Sequence, residues 1–382
     1  MWNMRRCSSW SGIESTAGVA GRTGDPVRFV GGVPDRSFRV VYRLPLHPGK
    51  LLLALAILLG FAACQNTSED LRRYSPRIVL AERWDTVFVA GGQGINDTLI
   101  FRSHQLTLVD GTLIVADGLA ERLVALDAAT GRLEWMFGGP GQGPQEFRGI
   151  SDLAVTRNRR VWAMDYGNGR IAELGPDGRF HGVKTLHHLP APPAFILPLD
   201  DRAIAMSPGA PMPFMEIGLD SLELRRAFPL SWPGAIPEIA NTRLLLQGGP
   251  DTTWVSAFTL GPGFTVWRGR ASRSFSYREP VFFANRSSPR ITEMGADSAR
   301  WGAVSLDVVG EEIFMLFGGR PVRRAHPGEP TLWIDVYSLG GEYLRSLRLP
   351  FGTSGMVTDG RTFYVLPSEG IPRVVALRPI LE

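Results

Sequence analysis

Short apolar runs alternate with polar turns along most of this chain, and one arrangement of them recurs six times. In each copy, two apolar runs flank a short polar or glycine-rich turn, as in LTLVDGTLIVAD and DLAVTRNRRVWAMD. The copies recur at intervals of 42 to 59 residues, with their turns centred at Asp110, Asn158, Asp200, Pro250, Val309 and Asp359. A repeat of this size indicates a solenoid or a propeller.

The second copy shows most clearly what one repeat forms. Four runs, at Ser151–Val155, Val161–Asp165, Arg170–Leu174 and Arg179–Leu186, are separated by turns rich in Gly, Asn and Asp. Runs of this length and composition predict a four-stranded antiparallel meander. The third and fourth copies match this pattern least well, so we expect blade three or four to be the most irregular. The fourth strand of blade four is predicted at Ser274–Arg278.

The sixth copy contains only three strands, at Met356–Thr358, Thr362–Leu366 and Arg373–Leu377. Thr86–Ala90 precedes the first copy as the last strand of one repeat precedes the next, and we expect it to pair with Arg373–Leu377. Such pairing closes a ring and removes an exposed sheet edge. The sequence therefore predicts an all-β six-bladed β-propeller of four-stranded antiparallel blades over about residues 78–382, closed by its N-terminal strand.

Part of the second repeat resembles a known blade type. The loop GGPGQGPQEF (138–147), Asp152 in the first strand and the motif Asp165-x-x-Asn168-x-Arg170-Ile171 are similar to NHL-type blades, especially those of bacterial six-bladed β-propeller lipoproteins. The resemblance implies the fold, whereas activities in this group differ widely. We interpret Asp165, Asn168 and Arg170 as bracing a turn rather than binding a ligand.

An apolar segment near the N-terminus indicates export. Leu51–Ala63 contains no charge, follows Lys50, and is shorter than the roughly 20 residues that span a bilayer as a helix. It suits the apolar region of a secretory signal. The stretch 61–64 (FAAC) resembles a bacterial lipobox, which implies lipidation of Cys64, and Gln65 after it favours the outer membrane over the inner.

The chain therefore divides into four parts. Residues 1–50 fit a signal poorly, and we interpret them as an extension that results from a start codon assigned too far upstream. Residues 51–63 form the lipoprotein signal, residues 64–77 a polar tether, and residues 78–382 the propeller.

Charge and cysteine content limit the classes of function. The net charge of +4 arises from residues 1–63, which hold 8 basic and 3 acidic side chains, so the remainder has a net charge of −1. No basic excess remains for a nucleic acid. The two cysteines are too few for a disulfide framework or a thiolate metal site.

No catalytic constellation or cofactor motif emerges from the sequence. A histidine metal site is not indicated either, because the histidines do not recur at equivalent blade positions. The best general place for a ligand is the axial funnel, whose rim holds arginines suited to an anionic or sugar-like group. The candidate rim residues are Arg102, His104, Arg148, Asn241, Arg300 and Trp301.

These features favour a monomeric, lipid-anchored binding module of the cell envelope, for an envelope protein or a small ligand. The alternative is a metal-assisted hydrolase or lyase of the kind found among gluconolactonase-like propellers. A structural role in assembly is a third possibility.

Overall fold

The strands of this chain form a ring of six sheets. The computed structural model describes residues 76–92, 94, 103–233, 244–279, 301–319 and 332–381, all within the unit Gln65–Glu382. In these residues, the helical structure is limited to one 3₁₀ turn, Tyr166–Asn168. The prediction of an all-β propeller is confirmed.

The strands follow one another in chain order. Two precede the first complete blade: β1 (Val79–Ala81) and β2 (Trp84–Gly91). Blades one to three contain β3 (Ser103–Val109), β4 (Thr112–Asp117), β5 (Arg122–Asp127), β6 (Leu133–Gly138), β7 (Ile150–Val155), β8 (Val161–Asp165), β9 (Arg170–Leu174), β10 (Phe180–Thr185), β11 (Phe195–Pro198), β12 (Arg202–Met206), β13 (Phe214–Gly218) and β14 (Leu224–Phe228). Blades four to six contain β15 (Leu244–Gly248), β16 (Thr253–Phe258), β17 (Gly263–Arg268), β18 (Ala271–Ser276), β19 (Ala303–Val309), β20 (Glu312–Phe317), β21 (Trp333–Ser338), β22 (Tyr343–Arg348), β23 (Thr353–Thr358), β24 (Phe363–Pro367) and β25 (Arg373–Pro379).

Each blade is an antiparallel meander whose first strand lies innermost. The inner strands β3, β7, β11, β15, β19 and β23 each contact the inner strand of the next blade, and β23 contacts β3 to complete the circle. Short turns join consecutive strands into one sheet. Because side chains alternate between the two faces of each strand, one set packs against the blade on either side. The ring therefore follows directly from the repeat.

The N-terminal strand closes the ring as the sequence predicts. β2 pairs antiparallel with β25, with Thr86 opposite Leu377 and Ala90 opposite Val374. Blade six is thus made from both ends of the propeller, in the order β2-β25-β24-β23. Closure pairs the outer side of β25, which would otherwise be an apolar edge.

The core lies between the blades. Between blades six and one, Phe88 and Tyr364 pack against Leu113, Leu126 and other buried residues. Tyr364 also donates a hydrogen bond from its hydroxyl to the carbonyl of Ala128, at 3.0 Å. Burial of such side chains is the main stabilising contribution, at roughly 25 cal/mol per Å² of apolar surface.

The expectation that blade three or four would be the most irregular is wrong for strand pairing. Blade four pairs throughout without a register shift, and blade three contains one. Blades one, two and six each contain two, and blade five contains three, of which one lies between β1 and β22. In blade four, Trp254 and Trp267 stack at 4.7 Å and Phe214 of blade three meets both edge-on. Apolar packing fixes the register where the polar motif is weak.

The fourth strand of blade four also differs from its predicted bounds. The sequence places this strand at Ser274–Arg278, whereas the structure has it at Ala271–Ser276. A turn at Gly269, which adopts a left-handed φ of 61°, begins the strand three residues earlier.

A short segment before β2, residues 77–81, adds a fifth strand to blade five, and we call it the N-terminal strap. β1 pairs parallel with β22, a pairing that three residues are too few to reveal by alternation. Arg77, assigned to the tether by the sequence, donates two hydrogen bonds to Asp335 at 3.1 and 3.2 Å, forms a salt bridge with Glu279 and stacks on Trp333. Arg77 therefore belongs to the propeller.

Closure of the ring predicts a large effect from one apolar residue in β2. Phe88 is 6% exposed and packs between blades six and one, so Phe88→Ala should lower the free energy of unfolding by about 3–5 kcal/mol. Asp85→Ala, at an exposed position of the same strand, should change it by less than about 0.5 kcal/mol. Chemical denaturation measures both. Equal midpoints for the two variants would contradict a stabilising role for the closing strand.

Candidate functional site

A channel runs along the propeller axis. The first strand of each blade is an edge strand of its sheet, so its free backbone edge faces the axis. Residues of all six inner strands line a cavity of about 570 Å³. This volume lies within the range of about 300–1,000 Å³ typical of sites for small molecules.

Polar side chains of blade two connect inner strands on one side of the channel. The Asp152 carboxylate accepts a hydrogen bond from the backbone N–H of Ile196 in blade three, at 2.9 Å. The Ser151 hydroxyl donates to the carbonyl of Ala194 at 2.6 Å. From blade one, the Gln105 amide donates to the carbonyl of Ser151 at 3.4 Å. These bonds satisfy backbone groups that no sheet pairs.

Blade five repeats this arrangement on the opposite side of the ring. Asp307 accepts a hydrogen bond from the N–H of Thr358 in blade six, at 2.7 Å. The Ser305 hydroxyl donates to the carbonyl of Met356 at 3.1 Å, and the Gln247 amide of blade four donates to Asp307 at 2.7 Å. Blades one to three and blades four to six are thus connected through the same residue types, although Gln105 donates to a backbone carbonyl and Gln247 to the Asp307 carboxylate.

Burial affects the titration of both carboxylates. Desolvation raises the pKa of Asp152 to about 7, against the opposing effect of hydrogen bonds from the N–H groups of Ile196 and Leu153. Desolvation likewise raises the pKa of Asp307 to about 7, although Thr358, Val308 and Gln247 all donate to it. Asp152 keeps part of its surface accessible, whereas Asp307 is 4% exposed. Both residues line the cavity, and Asp152 is the less enclosed of the two.

One end of the channel, where the inner strands finish, carries charged pairs; we call it the C-terminal mouth. Arg157 pairs with Asp200, and Arg159 pairs with Asp110, both at 2.7 Å. All four side chains are well exposed, so each pair contributes little stability. These pairs connect neighbouring blades through their first turns.

The cluster predicted to brace a turn does so. Asp165 accepts hydrogen bonds from the Asn168 amide at 2.7 Å, the Arg170 guanidinium at 3.1 Å and the backbone N–H of Arg148 at 3.0 Å. Arg170 also donates to carbonyls of the glycine-rich loop, including that of Gly143 at 2.6 Å. The interpretation of this group as bracing a turn is confirmed, because its side chains form hydrogen bonds with one another and with the backbone of the turn and the glycine-rich loop.

The predicted rim residues fall partly within the described chain. Arg148 is exposed, and the backbone carbonyl of Trp301 accepts a hydrogen bond from the N–H of Gly319 at 2.8 Å. Neither residue is among those that line the axial cavity. The backbone of His104 lies in β3, but its side chain is outside the described part. The remaining candidates lie outside the described residues: Cys64, Arg102, Asn241 and Arg300.

Sequence reasoning did not assign Asp152 and Asp307 to a site. In the sequence, Asp152 stands out only as part of the resemblance to NHL-type blades, and Asp307 belongs to none of the motifs described above. The signal for both is a single carboxylate within the apolar first strand of a repeat, where burial is expected and a charge is costly.

Two absences hold for the described residues. Within them, no group of three or more His, Cys, Asp or Glu side chains is placed to hold a metal ion. No helix there has the length and apolar character required to cross a membrane.

Comparison with known proteins identifies the fold. No protein-family model matches the chain, and no curated protein matches it. Among solved structures, a member of the DUF4221 family from Bacteroides vulgatus superposes with a TM-score of 0.53 at 10% identity, covering 81% of this chain and 99% of its own. A Bacteroides fragilis protein designated as exported gives a TM-score of 0.51 at 10% identity, covering 78% and 95%. At this identity, the likeness is one of fold.

The raised pKa of Asp152 predicts how stability depends on pH. Between about pH 4 and pH 7 the folded state holds a proton that the unfolded state has lost, so the free energy of unfolding falls as pH rises through this range. Asp152→Asn stays neutral throughout this range, and its side-chain oxygen can still accept from Ile196. The free energy of unfolding of this variant should therefore fall less as pH rises than that of the wild type. The difference should be a few kcal/mol at most, since one pKa unit corresponds to about 1.4 kcal/mol.

Urea denaturation at pH 5, 6, 7 and 8 measures this effect. Asp85→Asn, exposed on β2, is the matched control and should retain the wild-type slope. An unchanged slope in Asp152→Asn would show that the folded state does not raise the pKa of this carboxyl group.

Proposed function

We propose that this protein is a lipid-anchored binding module of the bacterial cell envelope, of the NHL-like propeller lipoprotein type, and that it holds a small ligand in its axial channel. The observation that carries the proposal is the cavity of about 570 Å³, to which all six blades contribute. A site built on the inner strands of a closed ring is held rigidly. Such preorganisation reduces the entropic cost of binding.

Two features support an envelope location. Leu51–Ala63 followed by Cys64 has the form of a lipoprotein signal. The Bacteroides fragilis protein with the same fold is designated as exported. A lipid at Cys64 would place the propeller at a membrane surface through the polar residues that follow.

The anchor is tested by removing the lipidated sulfur. In a bacterial host, Cys64→Ala should abolish incorporation of labelled palmitate and leave the precursor unprocessed or the protein outside the membrane fraction, because lipoprotein processing requires the cysteine. Ser68→Ala, in the polar tether that follows the cysteine, is the control and should be labelled as wild type. Membrane retention of a trimmed, unlabelled Cys64→Ala protein would contradict the anchor.

The channel is tested by filling it. Thr107 lies in the middle of β3, is half-buried and lines the cavity, so the indole of Thr107→Trp should occupy space needed by a ligand. Thr86→Trp, at an exposed position on the outer strand β2, is the matched control. Full-length proteins in detergent are incubated with an envelope extract, and retained small molecules are identified by mass spectrometry.

We expect the wild type and Thr86→Trp to retain the same compound, and Thr107→Trp to retain it at least tenfold less. Equal retention by a folded Thr107→Trp, or recovery of an envelope protein with no small molecule, would contradict binding in the channel.

A further inference from the structure

The charge of the channel indicates which class of ligand it takes. Resting on the proposed function, we infer that the cavity binds a small organic cation, an ammonium or guanidinium compound, with the Asp152 carboxylate as its counter-ion. An ammonium group donates up to three hydrogen bonds and accepts none, which complements a carboxylate.

The charged residues that line the cavity are predominantly acidic. Four carboxylates, Asp152, Asp200, Asp251 and Asp307, stand against one described cation, Arg157. Arg157 pairs with Asp200 at the C-terminal mouth. Asp251 is exposed in the turn after β15. Asp152 and Asp307 are therefore the two carboxylates that lie within inner strands, and neither has a cationic side chain among the causes of its shifted pKa.

Charged groups near Asp152 have partners of their own. In β8, which pairs with β7, Asp165 binds Arg170 at 3.1 Å. Beyond the end of β3, Asp110 pairs with Arg159. None of these described groups supplies a counter-ion to Asp152.

The two inner carboxylates differ in what they can offer a ligand. Asp307 accepts three hydrogen bonds, from Gln247, Val308 and Thr358, and is almost fully buried. Asp152 accepts from the backbone N–H groups of Ile196 and Leu153 and keeps accessible surface. Since a carboxylate offers about four acceptor positions, Asp152 can accept further hydrogen bonds from a ligand in the cavity.

Electrostatics then separates ligand classes. A cation beside Asp152 compensates a desolvated charge, and this interaction is stronger in an enclosed channel than in bulk water. The acidic side chains of the cavity would repel an anion. A neutral polyol would supply no positive charge to compensate the Asp152 carboxylate. Binding of a cation should also favour the ionised form of Asp152, so affinity should increase as pH rises through about 7.

Isothermal titration of the full-length protein in detergent tests the inference. Benzylamine and agmatine are the cationic probes, benzyl alcohol is the neutral counterpart of benzylamine, and succinate and calcium chloride represent anions and metal ions. At pH 8, benzylamine should bind at least tenfold more tightly than benzyl alcohol. At pH 6, where about a tenth of Asp152 is ionised, its affinity should fall about tenfold.

Two variants show whether Asp152 is responsible. Asp152→Asn, which preserves shape and the acceptor for Ile196, should lose at least tenfold in affinity for the cationic probes and most of the pH dependence. Asp85→Asn, outside the channel, should bind as wild type.

Several results would overturn the inference: cationic probes that bind no better than benzyl alcohol, preference for succinate, or calcium binding that depends on Asp152 while the amines fail. If the amines do not bind, but Thr107→Trp still retains less of an envelope compound than the wild type does, only the inference of a cationic ligand is refuted. Absence of any retained compound would refute the channel-binding function itself.

Discussion

The first strand of every blade has one edge that no other strand pairs with, and the structure is organised around those six edges. An unpaired row of N–H and C=O groups attracts other strands unless it is covered or otherwise satisfied. In this ring the edges face a common axis, and none of the described inner strands pairs with the inner strand of a neighbouring blade. Side chains at Ser151 and Asp152, and at Ser305 and Asp307, satisfy part of them.

This solution has an electrostatic cost. Burial of a carboxylate is unfavourable unless hydrogen bonds or opposite charges compensate it. At Asp307 three donors provide much of that compensation, and the residue connects blades four, five and six. At Asp152 the compensation is smaller and the side chain remains accessible. Both carboxylates therefore connect blades, and Asp152 does so with fewer donors than Asp307.

The fold could be predicted in detail because its determinants are local. Alternation and turn residues identified the six blades, and the missing strand of the last repeat located the closing strand, which pairs as expected with Arg373–Leu377. The strap and the regularity of blade four could not be predicted. They depend on contacts between residues distant in sequence, such as Arg77 with Asp335, and Trp254 with Phe214.

The candidate site was predicted less well, for a related reason. Composition drew attention to arginines in the loops that enter the first strands, where polar side chains are conspicuous. The cavity is lined instead by residues inside those strands, which a period-2 pattern marks as core. Asp152 and Asp307 are exceptions within that pattern, and only the closed ring shows that both lie on the axis.

The N-terminal segment acts on several blades at once. Arg77 binds Glu279, which follows the last strand of blade four, and Asp335 in blade five. β1 then adds to blade five and β2 completes blade six. Any force transmitted through the residues before 76 reaches the Arg77 contacts before it reaches the closing strand. Bidentate hydrogen bonds of a guanidinium with a carboxylate are among the stronger polar contacts in proteins. The strap therefore fixes the chain to blades four and five immediately before β2, the strand on which ring closure depends.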